Sequence, residues 1–363
     1  MKVTQAFVGA LLVLSSMSAV ACGFEDGQVG GVAQADTAPL PRRRVTVLAD
    51  TCVMDTAQIS TLARRETKRV VSEVLILCLV PRADGSVGPS DPSGRAALAT
   101  LTSDLHALGY KVSYGVAFTD ESGQRFDGRA TAAAMSRPEW RKKVAASVEE
   151  LSRAADGVDV NLEKLPDAAR DDVTALVTEL STAVRATRKL GVFVPPSVEA
   201  PSDLPGGEAF DVPSLARVSD RLRVMTLDYS DRTPGPTFDP GWAVDAVRLA
   251  RDRSGSVPLD VAYPLYGAEF GPRGIRGVGY LDARGLAAAY GARIDRGPTG
   301  APFFGYRSVE GEDRWVWFDD AESTLRLLRA YTPEVLPADV GVLFWGLGAE
   351  DPALFGELAR RLP

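Results

Sequence analysis

Asp156-Gly157-Val158-Asp159-Val160-Asn161-Leu162-Glu163 is the stretch on which the reading of this chain turns. Side chains alternate along a strand. Val158, Val160 and Leu162 therefore face covering helices, while Asp159, Asn161 and Glu163 face the opposite way, into a barrel. Barrel interiors are normally filled by branched apolar residues. Burying two carboxylates there is costly unless they are hydrogen-bonded or partly protonated. Like charges stacked along one face also raise one another's pKa. That arrangement predicts a protonated carboxylic acid near neutral pH, as a general acid requires. Glu163, read as the last residue of the strand, would stand at the C-terminal face where barrel active sites lie. The same octapeptide also fits a buried polar network without chemistry, or an exposed edge strand.

Outward from this strand, the chain repeats one pattern. Apolar runs fall at Val45–Leu48, Val74–Val80, Lys111–Val116, Gly157–Glu163, Gly191–Val194, Leu222–Asp228, Val257–Tyr263 and Val340–Trp345. Most are near-continuous, as strands buried on both faces require. Helical patterns separate them, and Asp239-Pro240 and Asp351-Pro352 read as helix starts. Eight strands alternating with helices predict a (β/α)8 barrel, a TIM barrel. An open doubly wound sheet competes, but the Gly-rich dinucleotide turn is missing after the first strand. The longest gap, between Tyr263 and Val340, is expected to hold a small α+β insertion between strands seven and eight, at about residues 268–320. Trp315 and Trp317 are expected in its core, and Glu269 is expected to be a solvated loop charge.

The chain has 363 residues, 45% hydrophobic and 25% charged, with 41 Lys+Arg against 48 Asp+Glu. That is globular composition. A net charge of -7 speaks against nucleic acid as partner. The single histidine, His106, excludes chemistry built on a histidine base, and three cysteines are too few for a four-cysteine zinc site. No metal and no cofactor is expected. Residues 1–21 read as an export signal: Lys2, then an apolar run to Ala19-Val20-Ala21-Cys22. Cys22 directly after the cleavage site predicts lipidation, with residues 22–41 as a tether and the barrel at 42–363. Plain secretion is the alternative. The expected location is the bacterial cell envelope, with the membrane reached only through the anchor, and the expected state is a monomer. Export permits disulfides. Cys52 and Cys78 end the first two predicted strands, and either a bridge or two buried thiols fits. Arg42-Arg43-Arg44 reads as a solvated edge.

Several segments, taken in order, resemble glycoside hydrolase family 18, the chitinase and endo-β-N-acetylglucosaminidase family. Asp156, Gly157, Asp159 and Glu163 match its D-G-x-D-x-D-x-E strand. Lys111-Val112-Ser113-Tyr114-Gly115 is similar to its S-x-G-G segment, and Met225-Thr226-Leu227-Asp228-Tyr229 to its M-x-Y-D-Y. Tyr263-Pro264-Leu265-Tyr266-Gly267 resembles P-x-Y-G, and Trp317-Phe318-Asp319-Asp320 resembles the W-Y-D-D helix start. Phe344-Trp345-Gly346 resembles the eighth-strand tryptophan.

The resemblance implies a substrate-assisted retaining hydrolysis of β-linked N-acetylglucosamine glycan: peptidoglycan, chito-oligosaccharide or N-glycan. Glu163 would be the acid and later the base, with Asp159 and Asn161 behind it. Asp228, Tyr229, Met225, Tyr266 and Tyr114 would bind substrate, and Trp345 would floor the sugar ring. Two departures from the family fall at one spot. Asn161 replaces the Asp that orients the acetamido group, and Leu227 replaces a tyrosine. Asn-x-Glu is similar to the arrangement in family 85 endoglycosidases. The alternative is a catalytically impaired, carbohydrate-binding lipoprotein of the same fold. With aromatic residues at 7% and few near strand ends, a short cleft is expected.

Overall fold

The computed structural model describes residues 40–90, 94–120, 122–123, 125–198, 207–332 and 334–362. The export signal, Cys22 and the tether as far as residue 39 lie outside the described residues. Leu40, placed in the tether by the sequence, is buried, and its N–H donates to the Arg361 carbonyl at 2.9 Å.

Eight parallel strands close into a barrel. In chain order the strands are β1 (Val45–Ala49), β2 (Glu73–Pro81), β3 (Val87–Pro89), β4 (Lys111–Ala117), β5 (Gly157–Asn161), β6 (Lys189–Val194), β7 (Arg221–Val224) and β8 (Leu259–Pro264). An insertion follows, with β9 (Gly267–Gly271), β10 (Gly274–Val278), β11 (Asp295–Arg296), β12 (Pro302–Arg307) and β13 (Asp313–Trp317), and β14 (Gly341–Trp345) completes the barrel. The closed order is β1-β14-β8-β7-β6-β5-β4-β2, and β2 pairs again with β1. β3 is a short antiparallel strand on β2. The alternation expected for β5 is present. Val158, Val160 and Leu162 join the large apolar layer between strands and helices, which also holds Val173, Leu176 and Leu180 of the helix Arg170–Val184.

The barrel interior has two levels. Toward the C-terminal ends of the strands it is apolar, with Leu48, Leu75, Leu77, Phe193, Ala262 and Leu343. Toward the N-terminal ends it is ionic. The guanidinium of Arg223 is fully buried and holds Asp159 with two hydrogen bonds, 2.6 and 3.2 Å. It also donates to Asp260 at 2.7 Å and Glu73 at 3.0 Å. Arg221 and Arg44 complete the network at Glu73 and Asp260. Planar guanidinium forks suit such multiple pairing. Glycines make the room: a Cβ on Gly191 would fall 1.8 Å from Asp159 Oδ1, and one on Gly341 2.2 Å from Asp260 Oδ1.

Two expectations are corrected here. Of the basic run 42–44, Arg42 is exposed, but Arg43 and Arg44 are not a solvated edge. Arg43 donates to the carbonyls of Tyr331, Leu336, Pro337 and Val340, and Arg44 to Asp260. Glu269 is not a loop charge. It is buried in β9, where Arg276, Arg314 and Tyr306 satisfy it. Cys52 and Cys78 form a disulfide, joining the loop after β1 to β2.

The insertion is a five-stranded antiparallel sheet, order β10-β9-β13-β12-β11, with the helix Tyr280–Tyr290 on one face. Val278, Phe304, Val316 and Phe318 meet Ala283 and Ala287 of that helix in a small core of their own. Trp315 and Trp317, both expected in this core, are on the opposite face, and Trp315 is 43% exposed.

Candidate active site

A cleft of about 660 Å3 opens at the C-terminal ends of the barrel strands. Its wall includes Glu163, Asp228, Met225, Leu227 and Tyr266, from loops after three strands, and Trp345, the last residue of β14. Such convergence follows from the barrel, which aims successive strand ends at one mouth.

Glu163 lies two residues beyond the end of β5, not on the strand as the sequence reading had it. It is half-buried, and Oε1 accepts a hydrogen bond from Asn161 Nδ2 at 3.0 Å. Burial pushes its carboxyl up to about 7, the Asn161 hydrogen bond pulls it down, and the charge of Asp228 raises it further. The predicted cause, repulsion from Asp159, is corrected: Arg223 already neutralises Asp159, two turns of pleat deeper in the barrel. Asn161 is fully buried, and its Oδ1 has no hydrogen-bond partner among the described residues. An unpaired buried carbonyl oxygen of this kind costs about 1–3 kcal/mol.

Asp228 and Lys164 are the two non-glycine residues of the cleft wall with left-handed backbone, φ 54° and 57°. Non-glycine residues enter that region at a cost, and active sites collect such strain. At Lys164 the cause is visible. A Cβ on Gly128 would fall 1.8 Å from the Lys164 carbonyl oxygen, so the bare glycine admits the turn after Glu163. Asp228 lines the cleft, burial raises its carboxyl above the ordinary range, and Tyr266 donates its hydroxyl to Oδ1 at 2.8 Å. Trp345 meets Phe193 edge to face, ring centroids 5.4 Å apart, which fixes the indole at the floor. Leu227 is buried in the same wall, so no hydroxyl is present at that position.

The sequence brings Glu163, Asn161, Asp228, Met225, Tyr266 and Trp345 to one place, with Asp159 beneath them. Two predicted contacts are corrected. Tyr114 is buried in the outer layer, its hydroxyl 2.5 Å from Thr102 Oγ1 of the helix Gly94–Ala107, because its parity on β4 points it away from the barrel axis. Tyr229 turns out of the cleft after the strained Asp228, and its ring packs on Trp242 at 5.3 Å. The reading missed the ion network of Arg223, Glu73 and Asp260. Its signal was present as charged residues inside apolar strands. It also missed Lys164, Phe126 and Phe210 in the cleft wall, for which the loops carry no local pattern. Among the described residues no group of His, Cys, Asp and Glu could hold a metal ion.

No family model and no curated protein matches the chain. Solved structures do. A chitinase from Chromobacterium violaceum is 22% identical, with a TM-score of 0.73 over 88% of this chain and 99% of that one. The chain has the chitinase fold. The Bacillus cereus spore cortex-lytic enzyme SleL shares it, at 14% identity and TM-score 0.73, over 89% of this chain and 75% of that chain. So does the class V chitinase of Nicotiana tobaccum, at 16% identity and TM-score 0.68, over 88% and 99%. A mutant of the latter has been solved in complex with NAG4.

Proposed function

We propose that the chain is a glycoside hydrolase acting on β-linked N-acetylglucosamine-containing glycan with retention, the substrate's own acetamide serving as nucleophile. One observation carries this reading: a half-buried Glu163, pushed up to about 7, at the mouth of a chitinase-fold barrel. A carboxyl near 7 can give a proton to a leaving oxygen and take one back from water at neutral pH. The acetamido carbonyl would close on the anomeric carbon, and water would later open the resulting ring. Trp345 would carry the apolar face of the sugar. Asn161 Oδ1, buried and without a partner among the described residues, would accept the acetamide N–H. Tyr266 brings a hydroxyl to Asp228, on the side where Leu227 supplies none.

A second reading is favoured by one observation. Asn161 and Leu227 leave the acetamido subsite without the carboxylate that would offset a developing positive charge, which describes a sugar-binding barrel with little turnover. Mass spectrometry of chito-oligosaccharide, peptidoglycan and N-glycopeptide incubations separates the two. The hydrolase reading expects product from the native chain and at least a hundredfold less from Glu163→Gln at unchanged melting temperature, in keeping with the roughly 10²–10⁴-fold worth of acid–base catalysis. Product formation that survives this change removes Glu163 from its role. Binding without product supports the second reading.

We also infer export and lipid anchoring at Cys22, as a monomer on the bacterial cell envelope. The Cys52–Cys78 bridge supports an oxidising compartment. Intact-mass analysis of membrane-extracted protein should show a mature chain beginning at a diacylglyceryl-modified Cys22; an unmodified secreted chain would contradict it.

A further inference from the structure

Positive charge collects at the end of the barrel opposite the cleft. The short helix Arg65–Val70 ends just before β2, and Arg42 stands just before β1. The helix Leu354–Arg361 packs against the first of these. Val70, Leu358, Leu362, Leu40 and Pro41 share the wall of one small cavity, about 30 Å3. Their chain neighbours Arg69, Arg361 and Arg42 are thereby gathered around one spot. Lys68, Arg65 and Arg360 extend the face, and the two helices set Glu66 and Glu357 against them.

These cations are available. Arg42, Arg65, Lys68, Arg69 and Arg360 are exposed, and no ion pair among the described residues engages Arg65, Lys68 or Arg69. Cations in the last turn of a helix suit its dipole, which accounts for Lys68, Arg69, Arg360 and Arg361. It does not account for Arg65, the first residue of its helix, nor for Arg64 at the cap, where the dipole opposes a cation. The chain as a whole carries -7, and the cleft wall holds Asp50, Asp55, Glu163, Asp228 and Asp282 against Lys164. The two ends do not cancel each other. β1 alone spans about 16 Å, twice the screening length of about 8 Å in physiological salt.

We propose that this basic face lies on an anionic phospholipid surface and directs the cleft away from it. Guanidinium and ammonium groups match phosphodiester headgroups. Leu40, where the described chain begins, is bonded to the Arg361 carbonyl at this face. The proposal goes beyond lipid anchoring and rests on that reading only for bringing a membrane within reach. The anchor keeps the barrel near the surface, and the cations select the end that meets it. Each cation at such a surface adds about fivefold to binding.

Vesicle sedimentation of the full chain tests this, with phosphatidylcholine alone and an equal mixture with phosphatidylglycerol. The readout is the ratio of binding to the two, in which an apolar anchor cancels. Lys68→Ala with Arg69→Ala should lower that ratio by roughly tenfold or more at unchanged melting temperature. Arg284→Ala with Arg293→Ala, on the insertion, should leave it within about twofold. A native chain that does not distinguish the vesicles overturns the proposal and leaves anchoring untouched. Tight binding of that chain to soluble polyphosphate would then reassign the face to an anionic polymer. Equal losses in the two double variants also overturn it, since net charge alone would be at work. A ratio that is preserved in a chain with unmodified Cys22 removes the anchor and supports the face.

Discussion

At Glu163 four influences compete, and their order decides its protonation. Burial raises the carboxyl, the Asn161 amide lowers it, Asp228 raises it again, and the charge of Lys164 lowers it. The outcome, about 7, leaves the acid about half protonated at neutral pH. An acid that must be protonated loses activity as pH rises through its pKa, so the basic limb of kcat/KM is expected near 7. Asp228→Asn removes a charge that raises this value, and the limb should move to lower pH. Asn161→Asp replaces a stabilising donor by a second carboxylate, and the limb should move to higher pH. A limb that stays fixed in both variants would assign it to another group. Glu163 and Asn161 were legible because polar residues at alternate positions of an apolar run stand out against that run's own pattern. Lys164 was not. Its place in the cleft depends on a left-handed turn admitted by Gly128, far from it in sequence.

At the scale of elements, parity sorts the side chains. Tyr114 and Gly115 are adjacent on β4, yet Tyr114 bonds to Thr102 in the helical layer while Gly115 gives room to Leu77 inside the barrel. A bulge in β2 resets this parity: Leu77 pairs with Gly115, and Leu79 pairs with Val116. Leu77 thus faces the barrel interior, whereas Cys78 and Leu79 both join the outer layer. The bulge delivers Cys78 to Cys52, closing a loop of sequence separation 26. Loop-closure entropy for that length corresponds to about 3.5 kcal/mol of stability. Unfolding in guanidinium with and without reductant should differ by about that amount; coincident curves would mean that β1 and β2 need no covalent tie. The two cysteines were visible in the sequence with either state open, because a bulge leaves no local mark that fixes side-chain direction.

At the scale of the whole molecule, the barrel carries its ions below and its cleft above. Glu73 has its carboxyl raised by burial but held down overall by Arg223 and Arg221, from the ordinary 4.5 to about 2. A depressed folded-state value contributes stability that is present above about pH 4.5 and lost as pH falls through about 2. The denaturation midpoint should fall over that window. Arg223→Met leaves Asp159, Glu73 and Asp260 facing one another, and removing one partner of buried ion pairs costs about 3–5 kcal/mol. That variant should be less stable at pH 7 and should recover part of the loss on mild acidification, since protonation relieves the three carboxylates. Stability unchanged at pH 7 would show that the network is dispensable. By itself, the sequence determined the alternation of strands and helices, the barrel with its late insertion, and the placing of a carboxyl just beyond the fourth barrel strand. Hydrophobic periodicity and one anomalous strand are local properties, and the chain states them directly. Only the tertiary structure decided what surrounds that acid. The partner of Asp159, the turn at Lys164, the exit of Tyr229 and the exposed face of Trp315 all depend on residues distant in sequence that barrel closure brings within reach, and their burial and charge are set only there.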